Sequence, residues 1–509
     1  MTTIKISLLL SCLVLFATCT TQQELTPLPD DGTSVFFDEN QAPFYHGVAS
    51  GDPLATSVIL WTRVTPKSVG SVQVKWMVST DKDLKTVVQF GTITTDATRD
   101  YTVKVDAKDL MPNTVYYFQF EANGLPSVIG ITKTAAQSGM DEVNLAVVSC
   151  SNYEAGYYNA FARIAERDDL DAVVHLGDYI YEYEPDGYSD KTLDRKHLPA
   201  KEITTLSDYR TRYAQYRLDK DFQKVHQMHP FITIWDDHEI ANNAYNEGAQ
   251  NHQPEDGNYQ TRKEAAKQAY FEWLPVRDNQ QKDIYRTIHF GNTVDLIMLD
   301  ERIVGRTYPV DSVSQKEFNA ADRSMLGAKQ LAWFKNQLQN SDAKWKVIGN
   351  QVIFSPVDIS GLGWGASMNL DAWDGYPYER NQIAQFIENN NIENVIITAG
   401  DTHSSWAFEV PSVDGAKTIA LEFGTPSITS SNSDEGNPVE KVLQAEKIFL
   451  ETNPHLKYTD LRNHGYLLLR LNETEATAEW HYVDKLNAPS EGIRMDKQYT
   501  VSSGSRTLD

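Results

Sequence analysis

Five short stretches carry residues able to bind metal ions or move protons. They are Ser149-Cys150-Ser151, Gly177-Asp178-Tyr179-Ile180-Tyr181, Asp236-Asp237-His238-Glu239, Gly349-Asn350-Gln351 and Gly400-Asp401-Thr402-His403. Each follows a short, continuously apolar run: Leu145 to Val148, Ala172 to Leu176, Ile232 to Trp235, Trp345 to Ile348 and Val395 to Thr398. Runs of this length and composition suit strands buried on both faces, as in α/β domains. Open α/β sheets bind ligands beyond the carboxyl ends of their strands, so the five stretches can converge on one site. A lone Gly-Asp is usually a turn and a lone Asp-X-His usually an accident. Their joint occurrence in this order is hard to explain by packing. Cys150 by itself stays open between a buried hydrophobe, a reactive thiol and a metal ligand.

The elements around them fit a layered domain. Ala328 to Asn340 reads as a helix, with Leu331, Phe334 and Leu338 at helical spacing on a core-facing stripe. Val294 to Leu299 is a further buried strand, and Tyr466 to Leu471 with Ala476 to Val483 a late strand pair. From about residue 44 to 134 the pattern differs, with short alternating runs such as Ser57 to Trp61 and Val72 to Trp76. Short strands at that spacing predict a β-sandwich. Leu110 to Tyr116 looks like a tyrosine corner, with Tyr116 bonding back to the backbone, in a module similar to fibronectin type III.

The 509 residues exceed one ordinary core, and a net charge of −24 disfavours phosphate backbones as partners. Nucleic acid is therefore not the main partner, and an anionic substrate would need positive charge from bound metal ions. Lys5 and the apolar run Ile6 to Phe16 read as an export signal, too short to span a bilayer. It ends in Phe16-Ala17-Thr18-Cys19, which resembles a lipobox and opens the choice between a lipid-anchored and a plainly secreted protein. Cys12 and Cys19 fall in this leader, leaving Cys150 alone in the body and no internal disulfide there. The expected organisation is a signal over 1–19, a linker over 20–43, a β-sandwich over 44–135 and a catalytic domain over 140–509.

The order of the five stretches resembles the metallophosphoesterase superfamily, with replacements that mark PhoD-like alkaline phosphatases. Ser149-Cys150-Ser151 stands for D-x-H, Asp236-Asp237-His238-Glu239 for G-N-H-E, and Gly400-Asp401-Thr402-His403 for G-H-x-H. Gly177-Asp178-x-x-Tyr181 carries the extra tyrosine of purple acid phosphatases. His46-Gly47-Val48-Ala49-Ser50-Gly51-Asp52-Pro53, Leu299-Asp300-Glu301-Arg302 and Trp373-Asp374-Gly375-Tyr376-Pro377 match the family as well, and the likeness runs from about residue 44 to 485.

The resemblance implies a four-layer αββα sandwich preceded by the β-domain, and a hydrolase of phosphomonoesters or phosphodiesters. It implies one metal held by Cys150, Asp178, Tyr181 and His403, with ferric iron expected and zinc the alternative. The second position, of hard oxygen donors from Asp178, Asp237, Asn350 and Asp401, implies calcium, with magnesium or manganese as alternatives. Asp178 would bridge the two. His238 is expected to stabilise the transition state or protonate the leaving group, against the alternative of holding a ligand carboxylate. Arg302 could grip phosphate bidentately, or sit in a surface ion pair. Asp236 is expected to orient other groups, and His175 to be a core histidine. The expected substrates are small-molecule or cell-envelope phosphate esters, phospholipids included, met by a monomer in the periplasm or on a lipid anchor. The contrasting reading is an anchored binding protein with a degenerate site.

Overall fold

The computed structural model describes residues 26–279, 282–363 and 365–508. The leader and the lipobox-like Cys19 lie outside the described residues. No helix among those described is long and apolar enough to cross a membrane.

Two large sheets face one another. The first has nine strands, and its centre is three parallel neighbours: Glu142–Val148, Ala172–His175 and Pro230–Thr233. The second has seven, with Val294–Met298, Trp345–Gly349, Val395–Ala399 and Thr418–Gly424 running parallel side by side. The second sheet's residues divide by parity, as a pleated strand requires. Leu296, Met298, Val347 and Ile396 pack inward with the first sheet, while Ile297, Ile348 and Ile397 pack outward. The outward residues meet Phe334 and Leu338 of helix Gly327–Asn340 and Ile383 and Ile387 of helix Pro377–Asn389. On the far side of the first sheet lie helices Asn159–Ala165, Leu206–Arg217, Lys220–Met228 and Tyr259–Trp273, whose Phe161, Tyr213, Phe222 and Ala266 join its core. The layers are thus helix, sheet, sheet, helix, as expected from the sequence.

The N-terminal sandwich is present and shares a sheet with this assembly. Its five-stranded sheet, built on Val72–Ser79, Val87–Thr95 and Val115–Ala122, packs Val74, Phe118 and Phe120 against Val58, Leu60 and Val103. The latter three come from Ser57–Arg63 and Thr102–Ala107, which belong to the outer end of the nine-stranded sheet. The connection is parallel pairing of Val48–Leu54 with Pro230–Thr233, through Ser50 opposite Pro230 and Gly51 opposite Phe231. Alternation in the sequence shows that these are strands but does not say which sheet they join.

At the junction a Cβ on Gly51 would lie 2.5 Å from the carbonyl oxygens of both Phe231 and Pro275. Buried Tyr116 accepts the Met111 amide at 2.7 Å, which makes the expected tyrosine corner. Tyr116→Phe should cost about 1 kcal/mol in chemical denaturation and leave the metal content of folded protein unchanged. Gly51→Ala, which drives a methyl into backbone on both sides, should cost more, about 1–3 kcal/mol. A metal deficit in stable Tyr116→Phe protein would contradict a purely structural sandwich.

Candidate metal and active site

The carboxyl ends of the parallel strands in both sheets come together and carry the predicted residues. Cys150 follows Glu142–Val148, Asp178 and Tyr181 follow Ala172–His175, and Asp236, Asp237 and His238 follow Pro230–Thr233. From the second sheet Arg302 follows Val294–Met298, Asn350 follows Trp345–Gly349, and Asp401 and His403 follow Val395–Ala399.

The backbone here is held in unusual conformations. Cys150, Asp178, Asp401 and His403 have φ of 59°, 56°, 63° and 57°, in the left-handed region that L residues rarely adopt. Such geometry persists only where surrounding structure over-determines it, and it concentrates at functional sites. Three buried glutamates tie down backbone around the site, Glu239 that of left-handed Asp178 itself. Glu239 accepts the amides of Tyr179 at 2.6 Å, Asp236 at 2.8 Å and Asp178 at 3.2 Å, stapling two strand ends together. Glu301 takes the amides of Gln351 at 2.9 Å and Val352 at 3.1 Å and the Trp373 indole at 2.7 Å. Glu422 takes those of Phe354 and Ser355 at 2.6 and 2.7 Å. Gly177, at φ 110°, could bear no side chain, since a Cβ would meet the Asp236 nitrogen at 2.3 Å.

Three groups of possible ligands result, each with its donor atoms within 4.8 Å of one another: Cys150–Asp178–His403, Asp178–Asp237–His238 and Asp236–Asp237–Asp401. Tyr181 adjoins the first, its hydroxyl donating to Asp178 Oδ2 at 3.0 Å and lying 3.4 Å from His403 Nε2. Ser430 in turn donates to the Tyr181 oxygen at 2.5 Å. His403 is oriented by Nδ1, 2.7 Å from the Ser431 carbonyl. Asn350 is buried and donates Nδ2 to the Val352 carbonyl at 2.5 Å, leaving its Oδ1 as the free acceptor. Asp236 Oδ2 is buried without a partner. His175 is a core histidine as expected, buried and near the Ser151 hydroxyl and the Gly177 amide.

Arg302 is fully buried rather than in a surface pair, and its guanidinium is divided among carboxylates. Nε binds Asp236, Nη1 binds Asp371 at 2.6 Å, and Nη2 binds Asp401 at 2.9 Å with Asp237 at 3.8 Å. A bidentate phosphate grip would have to displace one of these partners. Asp371 also binds Arg306 at 2.6 Å.

Burial and crowding of like charge govern the titration of these groups. Burial pushes Asp236 up to about 8 and Asp401 up to about 6, against the pull of Arg302. Burial likewise raises Asp178, with His238 opposing and Asp237 adding to the shift. Asp371 lies well below the usual carboxylate range because Arg302 and Arg306 outweigh its burial. Burial raises the Cys150 thiol and the Tyr181 phenol. His238 goes the other way: burial opposes its charge, but Glu182, Asp237 and Asp178 together hold the imidazolium. Its Nδ1 lies 2.6 Å from Glu182 Oε2, and Glu182 also takes the Asn242 amide at 2.7 Å and Asn251 Nδ2 at 2.8 Å.

Comparison with known proteins identifies this arrangement. The PhoD-like phosphatase model matches residues 145–480, and the model for the N-terminal domain of PhoD-like phosphatases matches 32–136. The chain belongs to the PhoD-like phosphatase family. It is 35% identical to "Alkaline phosphatase D" of Bacillus subtilis (strain 168) over 474 residues, 89% of this chain and 79% of that protein. A solved structure titled "Structure of PhoD" superposes with a TM-score of 0.83 at 33% identity, covering 93% of this chain and 92% of the other. Like its PhoD-like relatives, the chain is a metal-dependent phosphoric ester hydrolase.

Sequence reasoning singled out the donors but passed over Asp371, Glu182, Arg306 and Ser430. Glu182 stands directly after Tyr181 and Asp371 two residues before the quoted Trp373-Asp374-Gly375 segment, so both were within reach of the same motifs. The carboxylates around Arg302 make a direct test. Removing the cation strands buried anions, which typically costs about 3–5 kcal/mol. Arg302→Met should therefore lower the stability of chelator-treated protein by about that amount in urea denaturation. A variant as stable as its parent would show that the carboxylates are already neutral.

Proposed function

We propose that Cys150, Asp178, Tyr181 and His403 hold one metal ion, and that Asp178, Asp237, Asn350 and Asp401 hold a second, with Asp178 shared. The observation that carries this is the sorting of donors. The thiol and imidazole cluster with Asp178, whereas Asp236, Asp237 and Asp401 form a group of oxygen alone. Thiolate, phenolate and imidazole suit a transition ion, ferric iron in this reading, and the oxygen set suits calcium. The Asp236 Oδ2 left buried without a partner supports a site whose carboxylate oxygens exceed what Arg302 alone satisfies.

Bound ions supply positive charge to the phosphate oxygens and lower the pKa of a water molecule. The chain's own part is positioning and proton delivery. With Nδ1 committed to Glu182, protonated His238 offers its Nε2–H to an oxygen of the phosphate or to the departing ester oxygen. Glu182 fixes the ring and favours its charge. Arg302 braces Asp236, Asp237, Asp371 and Asp401 in register rather than gripping the substrate. The substrate is a phosphomonoester or phosphodiester, and the leader supports export, with Cys19 as a lipid anchor.

Tyr181→Phe removes one oxygen from a side chain whose bland role would be core packing, worth about 1 kcal/mol. Purified protein should be coloured by phenolate and thiolate on ferric iron, and Tyr181→Phe should shift or abolish that band while the fold persists. Calcium chelation should stop turnover of p-nitrophenyl phosphate yet spare most of the colour. Active, colourless wild-type protein containing zinc alone would overturn the iron, and full activity in Asp178→Asn would overturn the shared-ligand site. For export, Cys19→Ser should move the protein from the membrane to the soluble fraction. Wild-type protein already soluble after export would exclude the anchor.

A further inference from the structure

A cavity of about 840 Å³ opens beside Asp371 and Asp401 and runs away from the ligand groups. That size lies within the range of pockets that take an organic group, about 300–1,000 Å³. Much of its lining is hydrocarbon: Ile353, Val357, Ile359, Leu370, Trp406 and Phe449. The Trp406 and Phe449 rings meet edge to face with centroids 5.1 Å apart, and the Trp406 indole nitrogen is satisfied by the Thr402 hydroxyl at 2.8 Å. Acidic groups line it as well: Asp311, Asp371 and Asp401, and Asp374, whose Oδ2 accepts the Val357 amide at 2.9 Å beside the apolar residues; no lysine, arginine or histidine lines it among the described residues. The arginines that pair with Asp371, Asp374 and Asp401 do not reach the lining. An anionic group here would face carboxylates with no lining side-chain cation to meet it, and like charges repel.

We infer that this cavity takes an ester substituent of the substrate, and selects phosphate esters in which that substituent is an uncharged hydrocarbon over those in which it bears a second anionic group. The inference rests on the reading of Asp401 as a metal ligand, because that reading puts the phosphate where the cavity meets Asp401. The substituent then extends onto the apolar lining. Each methylene buried there should tighten binding by about 3–4-fold, the equivalent of about 0.8 kcal/mol. Met368, half-buried in the lining and outside any helix or strand, adds to the apolar surface.

The test is calorimetric binding of methyl-, butyl- and octylphosphonate and of 3-sulfopropylphosphonate to metal-loaded full-length protein, beside turnover of p-nitrophenyl phosphate. Affinity should climb at least 30-fold from methyl to butyl, since three methylenes at 3–4-fold each compound to about that factor. The sulfonate should bind more weakly than butyl. Met368→Glu should flatten the alkyl series and raise the KM for p-nitrophenyl phosphate, whose aryl group is itself such a substituent, while leaving methylphosphonate binding unchanged. Met368→Lys should reverse the order of sulfonate and butyl. Val357→Glu repeats the first test on another part of the wall should Met368→Glu fail to fold. Equal affinity across the alkyl series, or tighter binding of the sulfonate by wild type, would overturn the inference while turnover leaves the phosphoesterase reading intact. A steep alkyl series without any turnover would instead uphold the cavity and overturn the assigned catalytic site.

Discussion

Everything at this site is arranged around one electrostatic problem. Asp178, Asp236 and Asp237 are buried beside the partly exposed Asp371 and Asp401, and ionised carboxylates so close together repel one another with little water to dilute their charge. Arg302 is the resident answer. Its planar, permanently charged fork reaches four of the five, which a lysine's point charge could not do. The arginine does not satisfy every oxygen, since Asp236 Oδ2 stays buried without a partner. A pocket built this way favours a bound cation over none.

Holding such a cluster in place requires backbone restraint from outside it. The left-handed residues Cys150, Asp178, Asp401 and His403 sit at the turns where the chain leaves a parallel strand. Glu239 captures amides in the turn of Asp178, and Glu301 and Glu422 those of the loop after Trp345–Gly349, so these loops are tied by buried hydrogen bonds. The site thus has two carboxylate populations. Aspartates face the reacting centre, and glutamates, one methylene longer, face the backbone behind it.

The donors were legible because each directly follows a buried strand, and a strand's end is visible as the end of an apolar run. Cys150, Asp178, Asp237, Asn350, Asp401 and His403 all fall within four residues of such an end. The parity of Leu296, Ile297 and Met298 similarly reports two cores from one strand. The bracing contacts were not legible. Asp371 reaches Arg302 across 69 residues and Glu182 reaches His238 across 56, from segments with no strand or helix periodicity of their own. Glu239 was in view as part of Asp236-Asp237-His238-Glu239, but nothing in residue type distinguishes a ligand from a carboxylate that staples amides. The sharing of one sheet between the N-terminal sandwich and the catalytic layers was hidden for the same reason: pairing partners are chosen in space.

That shared sheet makes the two segments matched by separate family models one cooperative object. Pro230–Thr233 is an interior strand only because Val48–Leu54 lies against it. Excising the N-terminal segment would turn it into an edge, with Phe231 and Ile232 stripped of part of their cover and a row of backbone groups open to any passing chain. The strand that would become the edge is the one leading into Asp236, Asp237 and His238. Truncation at the apparent domain boundary would thus yield an aggregating fragment with a loosened site, and the sandwich serves the enzyme as a permanent edge guard.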